Sequence, residues 1–244
     1  MSKRIKFFLS HLIISLLIAL IIVGVVFLIW YPTPLGKAVG LTEVFVMLIT
    51  IDIIIGPLLS LLIYKEDKKN LKIDLSMIIF IQISALIYGV YSIEQGRPVW
   101  IVYNVDRFEL VRANDLVVDN IDNIPQEYRR KSWFKPKFVG VEFSKDRATR
   151  NNDLFKEVTE GVSIAQNPER YIAINKVKKT MQNKAQSLSL LEQYNDKNTV
   201  KEILIKFPEA NAYVPLKSNI VDMTVLINKE KGSVIEVVDL RPWK

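Results

Sequence analysis

The chain is 244 residues long, half of them hydrophobic, and carries a formal net charge of +7. It has no cysteine, which excludes disulfides and thiolate zinc sites, and its single histidine, His11, leaves little room for imidazole-based catalysis. The positive charge comes with neither an aromatic RNA-binding motif nor a zinc spacing, so nucleic-acid binding is not expected.

Three apolar segments before about residue 94 predict membrane-spanning helices, at about residues 7–30, 41–64 and 73–93. The first is uncharged and, at about 1.5 Å per residue, reaches roughly 36 Å, enough to cross a hydrocarbon core of about 30 Å. A cleaved signal peptide is the alternative for this segment. However, its apolar run is too long and no small-residue cleavage site precedes residues 30–34, so an uncleaved helix is favoured.

The orientation of these helices is predicted from the basic residues beside them. The loop at residues 31–40 contains only Lys37, whereas seven basic residues lie before the first segment and between the second and third: Lys3, Arg4, Lys6, Lys65, Lys68, Lys69 and Lys72. The positive-inside rule therefore places the N-terminus in the cytoplasm and everything after the third helix outside. In a bacterium this describes a multi-pass inner-membrane protein with a periplasmic C-terminal domain.

Residues 95–244 have the size of one domain and a dispersed surplus of basic side chains, 25 Lys and Arg against 20 Asp and Glu. The predicted fold is α+β, so the whole chain is membrane α plus periplasmic α+β, with residues 1–94 forming the membrane region. β-Branched and aromatic runs predict strands, and apolar residues spaced by three or four predict helices. The predicted strands are 98–103 and 107–112 and a hairpin of 222–228 with 233–239; the predicted helices are 151–162, 168–194 and 199–207.

Asp52 is an acidic residue near the middle of the second apolar segment, where a charge costs roughly 2.5 to 3.5 kcal/mol on insertion scales. Asp52, Gly56 and Ser60 are spaced four residues apart and would form one narrow polar and small stripe on a helix. Small residues on one face permit close helix packing. Pro57 lacks an N–H and is expected to free the carbonyl of Ile53.

Two roles for Asp52 remain open on the residues alone: an internal brace, or a docking point for a second helix. Counted from the predicted inner helix ends, Asp52 lies about 18 Å deep, Gln82 about 14 Å and His11 about 6 Å. Gln82 is thus the expected intramembrane partner, and His11 is too shallow and is expected at the interface. A proton relay is disfavoured because no second deeply placed ionisable residue continues the path.

Several motifs together resemble the TfpX/TfpZ family of type IV pilin accessory proteins. In the membrane region the motif is Asp52, then Gly56, Pro57, Leu58 and Leu59. In the C-terminal domain the resemblance rests on Arg97-Pro98 with the following strand, on residues 108–115 and on residues 240–243. The candidate positions there are Trp100, Phe108, Arg112, Asn114, Asp115, Arg241, Pro242 and Trp243.

The resemblance implies a chaperone-like inner-membrane protein, without enzymatic activity or cofactor, that promotes assembly or dynamics of pili made from its cognate major pilin. Its implied partners are that pilin, other inner-membrane pilus-assembly components and membrane lipid. As a hypothesis, the stripe at Asp52 docks the pilin helix, which has a buried acidic residue near its N-terminus, and the basic periplasmic domain contacts the pilin head. The alternatives are a membrane-bound pilin-modifying enzyme and a membrane sensor. Whether pilus assembly or retraction in twitching motility is affected stays open.

Overall fold

The computed structural model describes residues 1–66 and 68–243. Three helices in it are long and apolar enough to cross a membrane, Lys3–Trp30, Leu41–Ile63 and Leu71–Gln95, which we call the first, second and third spans. The first span consists of α1 (Lys3–Val25) and a π-helical turn (Val26–Trp30), and the short helix α2 (Leu35–Ala38) follows it. The second span consists of α3 (Leu41–Thr50), a π-helical turn (Ile51–Ile55) and α4 (Gly56–Ile63). The third span is the single helix α5 (Leu71–Gln95). The predicted apolar helices are thus confirmed.

The second span is the centre of this helical region, because the first and third spans both pack against it. Gly89 allows a close approach of the third span, since a Cβ there would lie 2.3 Å from Cδ1 of Leu48. Near the C-terminal domain the spans share an apolar cluster around Trp30, Phe45 and Ile93. Most other Ile and Leu side chains of the spans are exposed on the outside of the bundle, as expected for surfaces that face lipid.

The C-terminal part of the chain, from β1 onward, forms one seven-stranded mixed sheet in the order β4-β3-β1-β2-β5-β6-β7, and we call it the sheet domain. Four of its pairs are antiparallel and join strands that are consecutive in sequence: β1–β2, β3–β4, β5–β6 and β6–β7. Strand β1 also pairs with β3, and β2 with β5, in parallel. The strands are β1 (Pro98–Asn104), β2 (Arg107–Arg112), β3 (Lys137–Val141), β4 (Tyr171–Ala173), β5 (Ala212–Lys217), β6 (Met223–Asn228) and β7 (Ser233–Val238). The helices beside them are α6 (Arg147–Glu160), α7 (Lys178–Lys184) and α8 (Lys197–Lys206).

β1 is buried along its whole length because both faces of the sheet carry a core. Side chains alternate between the faces of a strand, so Ile101 and Tyr103 enter one apolar cluster while Trp100 and Val102 enter the other. The strands predicted at 98–103 and 107–112, the C-terminal hairpin and the helix predicted at 199–207 are confirmed. In the hairpin turn Gly232 has φ +59°, the left-handed conformation that glycine adopts without strain.

The long helix predicted at residues 168–194 is wrong. The segment is broken into a 3₁₀ turn (Pro168–Arg170), strand β4, a second 3₁₀ turn (Ile174–Val177), α7 and a third 3₁₀ turn (Leu188–Gln193). Its apolar residues are spaced as in a helix, but Tyr171 is buried beside Trp100, with ring centroids 5.4 Å apart. The pairing of β4 with the edge of β3 also supplies backbone hydrogen bonds that the sequence gives no sign of.

The loop between the first and second spans is part of the sheet domain's core. Leu35 and Ala38 are buried in the same cluster as Ile101. The carbonyl of Ala38 accepts hydrogen bonds from the backbone N–H groups of Ile220 (3.0 Å) and Val221 (3.2 Å). The helices and the sheet are therefore joined by a packed and hydrogen-bonded contact as well as by the chain itself.

Candidate functional site

A π-helical turn in the second span leaves the backbone carbonyl of Asp52 free for a partner. The N–H of Gly56 donates to the carbonyl of Ile51, five residues earlier. In this register the carbonyl of Asp52 faces Pro57, which has no N–H. Gln82 of the third span fills that position, and its Nε2 donates to the Asp52 carbonyl oxygen at 2.8 Å. The sequence placed the free carbonyl at Ile53 because it assumed ordinary α-helical spacing.

Gln82 is the centre of a polar network that joins all three spans. Its Nε2 also donates to Oγ of Ser15 at 3.1 Å, and its Oε1 lies 2.9 Å from Nε2 of His11. The Nδ1 of His11 lies 3.1 Å from Oγ of Ser60. Since Gln82 Oε1 only accepts, His11 Nε2 carries the proton in this contact.

The expectation that His11 lies at the interface, too shallow to reach Gln82, is therefore wrong, although the hydrogen bonds of His11 go to Ser60 and Gln82 and not to Asp52. The depth was counted from residue 7, but α1 begins at Lys3, four residues earlier. Helical side chains also lean toward the N-terminus of their own helix, and α5 begins at the same end of the bundle as α1, so Gln82 reaches back toward His11. The sequence did contain a sign of this polar network, because His11 and Ser15 are spaced four residues apart and therefore lie on one face of the first span.

The carboxyl group of Asp52 is buried without a partner. The residue is 4% exposed, and neither carboxyl oxygen has a hydrogen-bond partner within the described residues. Gln82 is close, but it reaches the main-chain carbonyl, which points toward the C-terminal end of the second span, whereas the Asp52 side chain leans the other way. Burying a polar group without a hydrogen bond is costly, so a donor that reached this carboxyl group would recover part of that cost.

Asp52 lies at the floor of an apolar groove between the first and third spans. The groove is a partly open cavity of about 280 Å³. One wall consists of residues of α1 spaced by three or four, and the other of residues of α5. The lining residues are Phe7, Ser10, His11, Ile14, Ser15, Ile18, Asp52, Ile79, Gln82, Ile83 and Leu86.

The other residues of the predicted stripe face the protein's own helices. Gly56 lies directly under Gln82, since a Cβ at Gly56 would come within 2.1 Å of Gln82 Oε1. Ser60 is 1% exposed, and its hydroxyl lies between the carbonyl of Pro57, at 2.7 Å, and His11. Of the four candidate docking residues, Asp52 alone lines the groove, while Gly56, Pro57 and Ser60 shape the helix packing beneath it.

The candidate motif positions of the sheet domain lie elsewhere, and none of them lines the groove. Trp100 and Phe108 are core residues, 1% and 0% exposed, on opposite faces of the sheet. At the C-terminus, Arg241 and Trp243 both hold Asp222: the guanidinium of Arg241 donates to its carbonyl, and the indole N–H of Trp243 donates to its carboxylate at 2.7 Å. The carbonyl of Pro242 accepts a bond from the hydroxyl of Tyr213.

Arg112 ends β2, and Asn114 and Asp115 follow it beside the C-terminal end of the third span. The Arg112 guanidinium donates to both carboxylate oxygens of Asp115, at 2.8 and 3.0 Å. Burial would raise the pKa of Asp115, but the hydrogen bonds from Arg112 and its charge outweigh burial and hold that pKa below its ordinary value. The N–H of Asn114 donates to the carbonyl of Gln95, the last residue of α5. These residues fix how the sheet domain continues from the third span.

The sequence is similar to those of fimbrial assembly proteins. A family model described as fimbrial assembly protein FimB matches residues 1–40. The fimbrial assembly proteins of Dichelobacter nodosus serogroups I and E1 are each 33% identical over 218 residues, which cover 86% of this chain and 84% of each relative. The chain belongs to the fimbrial assembly protein family.

A further member of this family, the fimbrial assembly protein of D. nodosus serogroups C1 and C2, is 38% identical over 113 residues, which cover 46% of this chain and 86% of that relative. No solved structure matches the chain. The family assignment confirms the resemblance to type IV pilus accessory proteins, which was based on motifs at both ends of the chain.

Proposed function

We propose that this protein is an inner-membrane accessory protein that promotes type IV pilus assembly by holding its cognate major pilin in the membrane. The names of its relatives support a role in pilus assembly. The observation that carries the proposal is the carboxyl group of Asp52, which has no hydrogen-bond partner among the described residues and lies at the floor of a partly open groove between two spans. In this proposal the N-terminus is cytoplasmic, residues 1–94 form the membrane region, and residues 95–244 are a periplasmic domain.

The groove suits a single transmembrane helix. Its two walls are mainly apolar and run along the first and third spans. A helix from another protein that lies between these spans would replace lipid with protein contacts on both sides. The pilin helix would add a hydrogen-bond donor opposite Asp52. Its buried acidic residue, in the protonated form, is such a donor, and a hydrogen bond between two uncharged groups contributes about 0.5 to 1.5 kcal/mol. A purely apolar helix would leave Asp52 unpaired, so the carboxyl group favours one class of partner.

The sheet domain has a second surface suited to protein contact, on α6. The polar side of this helix is turned inward, where Asp153 pairs with Arg170 at 2.9 Å and Lys156 with Asp119 at 2.8 Å. The apolar side faces out: Phe155 and Val158 are 63% and 85% exposed. In the proposed function this exposed apolar side contacts the pilin head while the groove holds the pilin helix.

The proposed role is non-catalytic. A pilin-modifying enzyme and a membrane sensor were the alternatives from the sequence, and no contact in the described residues favours either of them over an assembly role. A mass shift of pilin incubated with the purified protein would instead support the enzyme.

Photo-cross-linking tests the docking site directly. A cross-linkable amino acid at Ile14, which lines the groove, is expected to capture the helix of the cognate pilin in membranes. The Asp52→Ala variant is expected to lose most of that cross-link because the partner's donor loses its acceptor. The role in pilus assembly is tested in a strain that lacks the protein. We expect that strain to lose pili, as measured by piliation counts and by twitching.

Ile13 is the matched control position, since it is 55% exposed against 56% for Ile14 but does not line the groove. Equal capture from Ile13 and Ile14, or undiminished capture in an Asp52→Ala variant that inserts normally, would contradict docking in the groove.

A further inference from the structure

A basic and aromatic segment of the sheet domain, residues 129–137, lies exposed at its surface, and we call it the basic aromatic loop. Trp133 and Phe134 at its centre are 65% and 68% exposed. Around them the loop has five positive side chains and no acidic one: Arg129, Arg130, Lys131, Lys135 and Lys137. Two large exposed aromatic side chains side by side are unusual on a surface that faces only water.

The loop lies next to the ends of two spans. The ring of Trp133 is 6.4 Å, centroid to centroid, from the ring of Trp30, the last residue of the first span. Arg97, two residues beyond the end of the third span, is 2% exposed and donates to the carbonyl of Ser132. Its guanidinium also lies 5.7 Å from the centre of the Trp133 ring, a cation–π distance. The aromatic pair is therefore held at the level where the spans leave the membrane.

Two of the basic residues hold the loop in shape. Arg129 donates to the carbonyls of Ile124 and Asp122, and Lys131 donates to the carbonyl of Ala113. The remaining three, Arg130, Lys135 and Lys137, are exposed at the surface around the aromatic pair. A loop held by these hydrogen bonds, with exposed aromatic and basic side chains, suits a partner that is apolar within and negatively charged at its surface.

We propose that the basic aromatic loop is a membrane-surface anchor that binds anionic phospholipids. Trp133 and Phe134 enter the interfacial layer beside Trp30, where aromatic rings are favoured, and Arg130, Lys135 and Lys137 contact phosphate groups of the lipid. The anchor fixes the sheet domain against the bilayer. It thereby adds a contact with the bilayer to the packing of Leu35 and Ala38 that already joins the sheet domain to the spans.

Fluorescence quenching in lipid nanodiscs tests this anchor on the full chain. Because the protein has no cysteine, the Phe134→Cys variant can be labelled at one site with an environment-sensitive dye. The control is Val105→Cys, an exposed position in the turn at the far end of β1, seven strand residues, or about 23 Å, from the start of that strand beside the third span. In phosphatidylglycerol discs the dye at residue 134 is expected to be quenched by spin-labelled lipid and protected from iodide, with the reverse pattern at residue 105.

A second variant tests whether the positive side chains of the basic aromatic loop contribute to lipid binding. Replacing Arg130, Lys135 and Lys137 with Gln is expected to reduce lipid quenching at residue 134 in phosphatidylglycerol discs, and to change it little in phosphatidylcholine discs. Equal iodide quenching at residues 134 and 105 in both lipids would overturn the proposal. Protection at residue 134 that appears only after pilin is added would identify the loop as a pilin contact and would overturn it as well.

Discussion

Gly56 sets the distance between the second and third spans at the level of the polar network. Its Cα lies so close to Gln82 that a methyl group there would overlap the Gln82 amide. Close approach is what lets Gln82 reach the carbonyl of Asp52 and the ring of His11 together. One missing side chain thus determines whether three polar residues meet.

We expect the Gly56→Ala variant to be destabilised by about 1 to 3 kcal/mol, since the added methyl group forces Gln82 or the helices apart. The measurement is thermal unfolding of the purified protein in detergent micelles. Gly24→Ala is the control, because nothing lies within 4 Å of a Cβ at Gly24. A Gly56→Ala protein that unfolds at the same temperature as Gly24→Ala would show that the close contact is not required.

For a buried polar residue such as Asp52, the sequence predicts some properties and not others. The position and cost of Asp52 are readable, because hydropathy along one segment gives its depth. Which atom meets Gln82 is not readable, because it depends on a π-helical turn that shifts the hydrogen-bond register by one residue. The sequence led us to expect Gln82 at the Asp52 carboxyl group, whereas Gln82 donates to the main-chain carbonyl of that residue.

At the scale of elements, α6 is amphipathic in the way the sequence predicts, but its orientation is the reverse of the usual one. A single helix with one apolar side is expected to bury that side. Here ion pairs with Arg170 and Asp119 hold the polar side against the domain, and the apolar side remains exposed. Such a surface is typical of a protein–protein contact.

We expect the double variant Phe155→Gln with Val158→Gln to keep its unfolding free energy within about 0.5 kcal/mol, because exposed side chains contribute little to folding. It is expected to lower piliation and cross-linking to the pilin head. Ile205→Gln on α8 is the matched control, an equally exposed apolar residue at 69%. The same loss of piliation in the Ile205→Gln strain would remove the special role of α6.

The helix predicted at residues 168–194 is absent because the spacing of apolar residues in a sequence does not show which surface each of them packs against. Apolar spacings of three and four are produced by one long helix, and also by a short strand and several tight turns that each send a side chain into a core. Tyr171, which looked like the first apolar residue of a helix, lies instead in edge strand β4. Pairing with β3, whose paired residues lie 30 to 34 positions earlier, is a long-range contact that periodicity does not report.

At the scale of the whole molecule, the loop between the first two spans shows that the spans and the sheet domain share a core. Leu35 is 3% exposed within the core of the sheet domain, although it is separated from β1 by two complete spans. The sheet domain is therefore completed by a segment of the membrane region. A fragment that begins at residue 95 would expose the apolar surface that Leu35 and Ala38 cover.

We expect the Leu35→Ala variant of the full chain to lose about 2 to 5 kcal/mol of stability, as for other large-to-small changes in a core. Lys37→Ala is the control. It removes only an exposed ion pair with Asp239, for which we expect a cost of about 1 kcal/mol or less. Tryptophan fluorescence during denaturation in micelles measures both, and similar small losses would show that the loop merely rests on the domain.

The sequence by itself determined the three apolar helices, the place of Asp52 within the second, the C-terminal hairpin and the family, because each depends on residues close together in the chain or on motifs that can be compared directly. Only the tertiary structure decided which polar groups meet inside the bundle, which way α6 faces, and that residues 129–137 lie beside Trp30. These features depend on which helices and strands lie side by side. That choice is made by packing over the whole chain, so no local pattern of side chains specifies it.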